Sequence, residues 1–486
     1  MKLLPLALSA LSGLLIAFGS DSEATAGAGG TTNFYVTKLT DTNDGDCSLS
    51  DCSLREAIIA ANADTGLAPV KVNLMSGVHV LSREGADTPG FGDLDVTNDM
   101  TISGNFGSSV IDANGIDRIL EVSCGACTAA VNLSSVALRD GSSVKGMAVL
   151  VSGGTLSSSA VDIVSNDGLG GALHIAAGAI GFIDNSIIRN NHRSPVASGH
   201  IGGGINNKGT LTLQRTTISG NTALDNGGGI ANFGTLTAKA STISGNTAEV
   251  EGGGTSRGGG IYQANPGGPA TIENLTVAKN KATLGAGVFS ADDNFDIVNT
   301  IVGLNIGNDC GGTINTLGNN LDSDGTCDLD AGANDVIDVD PKLGPLKNNS
   351  GINPTHALLG GSPALENGDN ADCFVFDQRN VARPQGGNCD IGAFEAGYCF
   401  GKPETKRGTG SAETINGTSG ADVILGLAGN DVINGLQGVD RLCGGDQNDE
   451  LHGGPGNDRL NGGTGGDACY GEGGDDVFAN CDIQLP

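Results

Sequence analysis

From Ile163 to Asn305 an aliphatic residue is followed three positions later by an asparagine: Ile163 and Asn166, Ile188 and Asn191, Ile218 and Asn221, Ile243 and Asn246, Val277 and Asn280, Val302 and Asn305. The asparagines are separated by steps of 25, 30, 25, 34 and 25 residues. Whole phrases recur at the 25-residue step, as in Thr217-Ile-Ser-Gly-Asn-Thr-Ala223 and Thr242-Ile-Ser-Gly-Asn-Thr-Ala248. A fixed pair with variable insertions between copies is what stacked solenoid rungs require. The aliphatics are expected to form an interior ladder. The asparagines are expected to turn each corner by accepting left-handed backbone while bonding along the stack. The pattern therefore predicts a parallel β-helix over 70–345, with strands starting at Ile205 and Ile230 after their glycine triplets and the extra residues around Gly252 to Gly258 looping out. The preceding segment, 33–69, has a different rhythm. Leu54, Ala57, Ile58 and Ala61 fall on one face at helical spacing, which predicts one amphipathic helix capping the solenoid.

After residue 416 the period becomes nine. Asp422, Asp431, Asp440, Asp449, Asp458, Asp467 and Asp476 are nine apart throughout, and two residues after each stands Ile424, Ile433, Leu442, Leu451, Leu460, Cys469 or Phe478. Gly453, Gly454 and Gly456 precede Asp458, and Gly462, Gly463 and Gly465 precede Asp467 in the same phase. Six turn residues aim carbonyl oxygens and one carboxylate at a common point, and the next three form a short strand with a buried aliphatic. Two nonapeptides make one coil, so Asp422, Asp440, Asp458 and Asp476 fall on one side and Asp431, Asp449 and Asp467 on the other. A cation between coils receives oxygens from both. Calcium suits such a site because it takes 6–8 hard oxygen ligands in flexible geometry. These aspartates and glycines are the candidate ligand set for several Ca2+ ions. Some repeats are imperfect: Thr418, Leu427, Leu436 and Glu472 stand where the second glycine belongs, and Gln447 replaces the last glycine before Asp449. The turn around Gln447 is the expected weak point.

Composition agrees with short strands and tight turns. Glycine is 82 of 486 residues, Trp is absent and aromatics are 3%. With 25 Lys plus Arg against 55 Asp plus Glu, the net charge is −30. Nucleic acid is excluded as a partner, since phosphate contacts need basic clusters; cations fit instead. Between 411 and 486 stand 13 acidic and 2 basic residues. The roll is therefore expected to be largely unfolded until an ion neutralises it.

Residues 1–26 read as a secretory leader, with Lys2, an apolar run from Leu3 to Phe18 and Ala24-Thr25-Ala26. That run is shorter than the ~20 residues of a spanning helix, and no later segment is apolar enough to span a membrane. The mature chain is expected outside the cell, secreted or on the surface. Twelve cysteines then read as disulfides. The sequence-local pairs are Cys47–Cys52, Cys124–Cys127, Cys310–Cys327 and Cys373–Cys389, while Cys399, Cys443, Cys469 and Cys481 could pair in several ways.

Two resemblances follow from these motifs. Cys52-Ser-Leu-Arg-Glu-Ala57, the Gly-Gly-Gly-Ile rungs, Gly361-Ser-Pro-Ala-Leu365, Asp377-Gln-Arg379 and Cys389-Asp-Ile-Gly-Ala-Phe-Glu395 resemble bacterial surface proteins with a CSLREA region, a right-handed β-helix and a choice-of-anchor segment. The nonapeptide Gly-Gly-x-Gly-x-Asp-x-aliphatic is similar to the RTX, or haemolysin-type, calcium repeat. Together they imply an all-β chain, a right-handed parallel β-helix followed by a calcium-bound β-roll. Its expected divisions are a closing or anchor-type segment at 346–400, a linker at 401–415, the roll at 416–478 and a tail at 479–486. RTX proteins normally carry a C-terminal secretion signal; here the leader is at the front, so the general secretory route is expected.

The resulting reading is an exported calcium-binding solenoid in a structural or adhesion role, meeting an extracellular polysaccharide or a cell surface. Its rival is a calcium-dependent polysaccharide lyase, hydrolase or epimerase on the β-helix, which needs clustered carboxylates and bases on one strand face. The best such cluster is Asp162, Asp184, Arg189, His192 and Arg193, read here as polar solenoid corners. His356, Asp377, Arg379 and Arg383 read as structural groups of the closing segment. No catalytic residue is assigned.

Overall fold

The computed structural model describes residues 31–486 except 67, 86–87, 124–128, 144, 194–200 and 251. The expected leader at 1–26, the Cys124–Cys127 pair and His200 lie outside the described residues. So does the side chain of Arg193.

Each solenoid coil is three short strands. One coil runs Ile205–Asn207, Thr210–Gln214, Thr217–Ser219, and the next repeats it as Ile230–Asn232, Thr235–Lys239, Thr242–Ser244. Equivalent strands pair in parallel, giving sheets of eleven, nine and ten strands. The chain is nearly all β: a right-handed parallel β-helix followed by a β-roll. Register keeps each aliphatic over its counterpart, Ile163 on Ile188, Ile218, Ile243, Val277 and Val302 in turn. All are buried, and with the alternate residues of the other two sheets they form one continuous core. The expected loop between rungs lies near Gly252 and Gly253, both at positive φ.

The asparagine ladder is built as expected in its bonding and differently in its backbone. In Asn166, Asn191, Asn221, Asn246 and Asn280, both the backbone N–H and the Nδ2 amide donate to Oδ1 of the next asparagine, at 2.9–3.1 Å. Nδ2 also donates back to the carbonyl of the aliphatic on the preceding coil, as from Asn246 to Ile218. The left-handed conformation belongs to the residue before each asparagine: Ser165, Asn190, Gly220, Gly245, Lys279 and Leu304. A side chain directed inward along the stack needs its own backbone in strand-like geometry, so the corner is turned one position earlier.

Where the rungs end, carboxylates take over. Asp309 Oδ1 accepts from both Asn305 nitrogens, and Asp335 Oδ1 accepts from the Asn320 N–H. A disulfide joins Cys310 to Cys327 beside them.

At the other end the helix Leu54–Ala63 packs on the first strands of the solenoid, and Leu54, Ala57, Ile58 and Ala61 are its buried face. The first strand of the eleven-stranded sheet, Thr32–Tyr35, precedes this helix. The Cys52 to Ala57 motif has a structural account. Cys52 is bonded to Cys47. Ser53 caps the helix and Glu56 closes the capping box. Arg55 is buried, pairing with Asp41 and donating to the carbonyls of Gly92 and Asp93. Burial pushes the Glu56 carboxyl up, yet donation from the backbone of Ser53 and Asp44 and the Ser53 hydroxyl outweighs it and holds it down to about 2.

The segment expected to close the solenoid lies along its flank. Outward hydroxyls of the ten-stranded sheet receive it: Thr242 donates to Gln378, Thr217 donates to the Pro354 carbonyl, Ser244 bonds His356, and Thr276 accepts from the Ala393 N–H. These small polar side chains present an unpaired hydrogen-bonding surface that a covering strand can satisfy. Arg379 pairs with Asp377 and Glu404 and stacks over Phe394, and Arg383 pairs with Glu395. The expected linker at 401–415 contains strands Lys406–Arg407 and Thr414–Asn416, which pair into the roll, and the expected tail contributes Ile483–Leu485. The aspartate phase starts later than the strands because an end coil can pair its backbone without carrying the repeat's carboxylate.

Asn246→Ala should cost about 3 kcal/mol in denaturant unfolding, since it strands the Asn221 donors and the Ile218 carbonyl in the interior; Asn434→Ala, which removes an exposed pair with Asn416, should change stability by less than about 0.5 kcal/mol. Glu56 has a depressed carboxyl, so its contribution to stability is complete above about 4.5 and is lost as the pH falls toward about 2. Amide exchange in residues 54–63, corrected for the intrinsic rate, should accelerate across that window, and Glu56→Gln should flatten the dependence.

Candidate metal centre

The roll is two five-stranded parallel sheets with a register of eighteen residues, so that Val423 pairs with Arg441 and Arg441 with Arg459 on one side, and Val432 with Glu450 and Glu450 with Ala468 on the other. Ile424, Ile433, Leu442, Leu451, Leu460 and Cys469 are fully buried between the sheets, and Phe478 packs against their end. The sheets differ: Val423–Ala428, Arg441–Asp446 and Arg459–Thr464 extend for six residues into the glycine turn, whereas Val432–Asn434, Glu450–His452 and Ala468–Tyr470 stop at three.

The structure brings the seven aspartates into two files. Oδ1 of six of the seven carboxylates accepts the backbone N–H eighteen residues earlier on its own side; Asp422 Oδ1 accepts from the Thr405 hydroxyl instead. Asp440 takes that of Asp422 at 2.7 Å, Asp458 that of Asp440 and Asp476 that of Asp458, both at 2.8 Å. On the other side Asp431, Asp449 and Asp467 take those of Glu413, Asp431 and Asp449, each at 2.9 Å. The second oxygen is different. Oδ2 of Asp431, Asp440, Asp449, Asp458, Asp467 and Asp476 is buried and accepts no hydrogen bond. Buried carboxylate oxygens without a donor are costly. Burial accordingly pushes the Asp440 and Asp449 carboxyls up to about 6, against the backbone donors that hold them down, and raises Asp431 and Asp458 as well. Negative neighbours eighteen residues away add to the rise at Asp440, Asp449 and Asp458.

The first glycine of each repeat is required by this arrangement. A Cβ on Gly453 would lie 2.6 Å from Asp458 Oδ2, and one on Gly462 at 2.6 Å from Asp467 Oδ2. Gly454 and Gly463, at φ +92° and +104°, pack against carbonyls of the coil before, and a Cβ on Gly456 would collide with the Gly438 carbonyl. Gly465 has φ +156° and meets the Gln447 carbonyl. The imperfect repeats keep the same turn: Leu427, Leu436, Gln447 and Glu472 all adopt positive φ. The expected weak point at Gln447 is therefore not distorted, and Asp449 Oδ2 stays without a partner. The exception is Asp422, whose Oδ2 accepts from both the N–H and the hydroxyl of Thr418.

A row of buried, donor-free, anionic oxygens flanked by glycine-turn carbonyls fits a hard divalent cation that accepts many oxygens. Residues 407–442 and 444–478 match the family model of the RTX calcium-binding nonapeptide repeat, in four copies. The roll is built of RTX calcium-binding repeats. No curated protein matches the chain. Among solved structures, a mutant of the PL6 family alginate lyase AlyGC aligns over 92% of this chain and 72% of that one, at 11% identity and a TM-score of 0.25. A likeness at that score carries no argument, and the β-helix rests on its own sheet pairing.

Outside the RTX roll, the sequence-predicted cluster is not drawn together as one site. Asp162 is paired with Arg189 at 2.8 Å and Asp184 with Arg215, each across neighbouring rungs, and His192 stands in a strand paired with Asp167. Sequence reasoning missed Thr418 as the group that satisfies Asp422, and Asp482, whose carboxylate receives the Asp467 N–H where the nine-residue phase has stopped. It also left open the pairings found here, Cys399 with Cys443 and Cys469 with Cys481.

Gly453→Ala should destabilise the RTX roll by more than about 2 kcal/mol, because the methyl group displaces Asp458 or the turn. Gly410→Ala, with open space around its Cβ, should stay within about 0.5 kcal/mol. Thermal unfolding of the two full-length variants checks the contrast.

Proposed function

We propose that the chain is an exported β-solenoid, secreted or held at the cell surface in a structural or adhesive role, whose RTX roll is a terminal module that folds on binding several calcium ions. The observation that carries the reading is the set of six buried Oδ2 atoms with no hydrogen-bond donor. On this reading Asp431, Asp440, Asp449, Asp458, Asp467 and Asp476 hold the ions, helped by backbone oxygens of the turns containing Gly453, Gly454 and Gly456, and Gly462, Gly463 and Gly465. Bound calcium supplies the positive charge that stacked carboxylates lack. The side chains do the positioning: Oδ1 is tied to the stack, so Oδ2 is the oxygen left to face the ion. Asp422 is a weak member of the set because Thr418 already occupies its second oxygen.

Export is supported by the disulfides, since bridges such as Cys47–Cys52 and Cys373–Cys389 persist in oxidising surroundings, and by the leader-like residues 1–26. No described helix is long and apolar enough to cross a membrane. The likeness to CSLREA and choice-of-anchor surface proteins supports the same placement, and an extracellular polysaccharide or cell surface is the partner it favours.

Hydrogen exchange on the full chain tests the calcium reading. In calcium the amides of 414–485 should exchange slowly; in chelator they should exchange fast, while the β-helix amides are unchanged, and magnesium should not restore protection. Asp440→Asn and Asp458→Asn should each weaken calcium binding at least tenfold by calorimetry, and Asp422→Asn less than threefold. Equal protection with and without calcium would overturn the proposal.

A further inference from the structure

Along the nine-stranded sheet the outward positions run His174, Asn206, Ala231, Tyr262 and Phe289, each paired with the next on the neighbouring coil. At the C-terminal end of this file three aromatics gather on the outside of the solenoid, where core packing gives no reason for them. Tyr262 and Phe289 are stacked, with centroids 6.1 Å apart and rings 16° from parallel, and Phe233 meets Tyr262 edge-on at 6.3 Å. All three are half-buried, so each keeps part of its surface in solvent. Two cations flank them. The Lys208 ammonium lies 5.9 Å from the Phe233 ring centre and the Arg257 guanidinium 5.4 Å from that of Phe289.

Neither Lys208 nor Arg257 has a carboxylate within ion-pair distance among the described residues, whereas Arg139, Arg189 and Arg215 on the ten-stranded side all do. In a chain of net charge −30, these two cations place positive charge beside the half-buried rings of one aromatic group. The positive field is felt locally: burial, with the charges of Lys208 and Lys145 acting the same way, pushes His174 down to about 4. Burial raises the Tyr262 hydroxyl, the Arg257 charge lowers it and the Asp225 charge raises it.

We propose that this face binds an acidic polysaccharide, a hexuronate chain whose rings lie on the Tyr262–Phe289 stack while its carboxylates meet Lys208 and Arg257. Sugar rings have apolar faces that stack on aromatics, and rungs about 4.8 Å apart rise by nearly one sugar per coil. Single-stranded nucleic acid offers the same two features, stacking faces and negative charge. It follows a row of successive cations along its backbone with bases on successive aromatics, whereas here Lys208 stands beside Phe233 and Arg257 beside Phe289, at opposite ends of the aromatic group. The proposal deepens the extracellular-polysaccharide part of the proposed function and does not use the roll.

Calorimetry of the calcium-loaded full chain with oligogalacturonates too short to gel tests it. Wild type should bind them and not neutral dextrins of the same length. Lys208→Gln combined with Arg257→Gln, exposed or half-exposed changes that leave the melting temperature unmoved, should weaken binding at least tenfold. Tyr262→Ala should do the same. Asp458→Asn, which loosens the roll, should leave oligogalacturonate affinity within twofold, so a failure of the calcium reading shows in hydrogen exchange and not here. The proposal is overturned if wild type binds no oligogalacturonate, if dextrins or single-stranded DNA bind as tightly, or if the double charge variant binds like wild type.

Discussion

A stacked solenoid repeats each side chain against its own copy one coil away, so every inward polar group must be satisfied by a group of its own kind. That constraint decides what residue can stand at each corner. In the β-helix the answer is asparagine, which carries both donor and acceptor: Oδ1 receives two bonds from the previous coil, and Nδ2 donates one forward to the next asparagine and one back to the preceding coil. The ladder closes on itself, with no ion needed. In the roll the corner residue is aspartate, an acceptor only when ionised. Oδ1 finds a backbone N–H eighteen residues away, as Asp458 does from Asp440, and Oδ2 is left with nothing. One atom's difference in the side chain separates a neutral, self-sufficient stack from one completed by a cation.

The same constraint explains what happens at ladder ends. The last copy has no successor, so its donors need an acceptor from outside the repeat. Asp309 and Asp335 provide it for the asparagine and backbone donors at the end of the β-helix, and Asp482 for Asp467 in the roll. At the opposite end of the roll Thr418 does the reverse, donating to an aspartate oxygen that faces no earlier carboxylate turn. These terminators break the period, as they must.

This is also why the chain was partly legible. Periods of 25 and nine residues announce a solenoid, its inward aliphatics and the two files of aspartates, because stacking forces identical residues into register. The helix at Leu54–Ala63 showed through its 3.6-residue spacing. The terminators, the strands Lys406–Arg407 and Thr414–Asn416, and the Cys399–Cys443 bridge were hidden because each occurs once. The flank position of the closing segment was hidden for a related reason. It is set by hydroxyls of Thr217, Thr242, Ser244 and Thr276, which read in sequence as ordinary polar positions of a strand. The left-handed corner residues were displaced by one because no single residue type marks them: Ser165, Asn190, Gly220 and Lys279 share the conformation without sharing a side chain.

The two solenoids are joined by more than chain continuity. Glu404 sits between them, bonded through Oε1 to Arg379 of the flank segment and through Oε2 to Arg407, which belongs to the first strand of the roll. All three side chains are buried. Cys399, just before this network, is bonded to Cys443 in the strand Arg441–Asp446. A buried carboxylate shared by two guanidiniums tolerates the loss of neither, since an unpaired buried charge costs about 3–5 kcal/mol. The first strand of the roll is thus held in place by the flank segment, and coil formation has a template to start from. In a repeat stack whose coils interact only with neighbours, an ordered first coil lowers the cost of adding the next. The aspartate files beyond it carry the unmet charge, so each coil added after the Glu404 junction brings carboxylate oxygens without bringing donors for them.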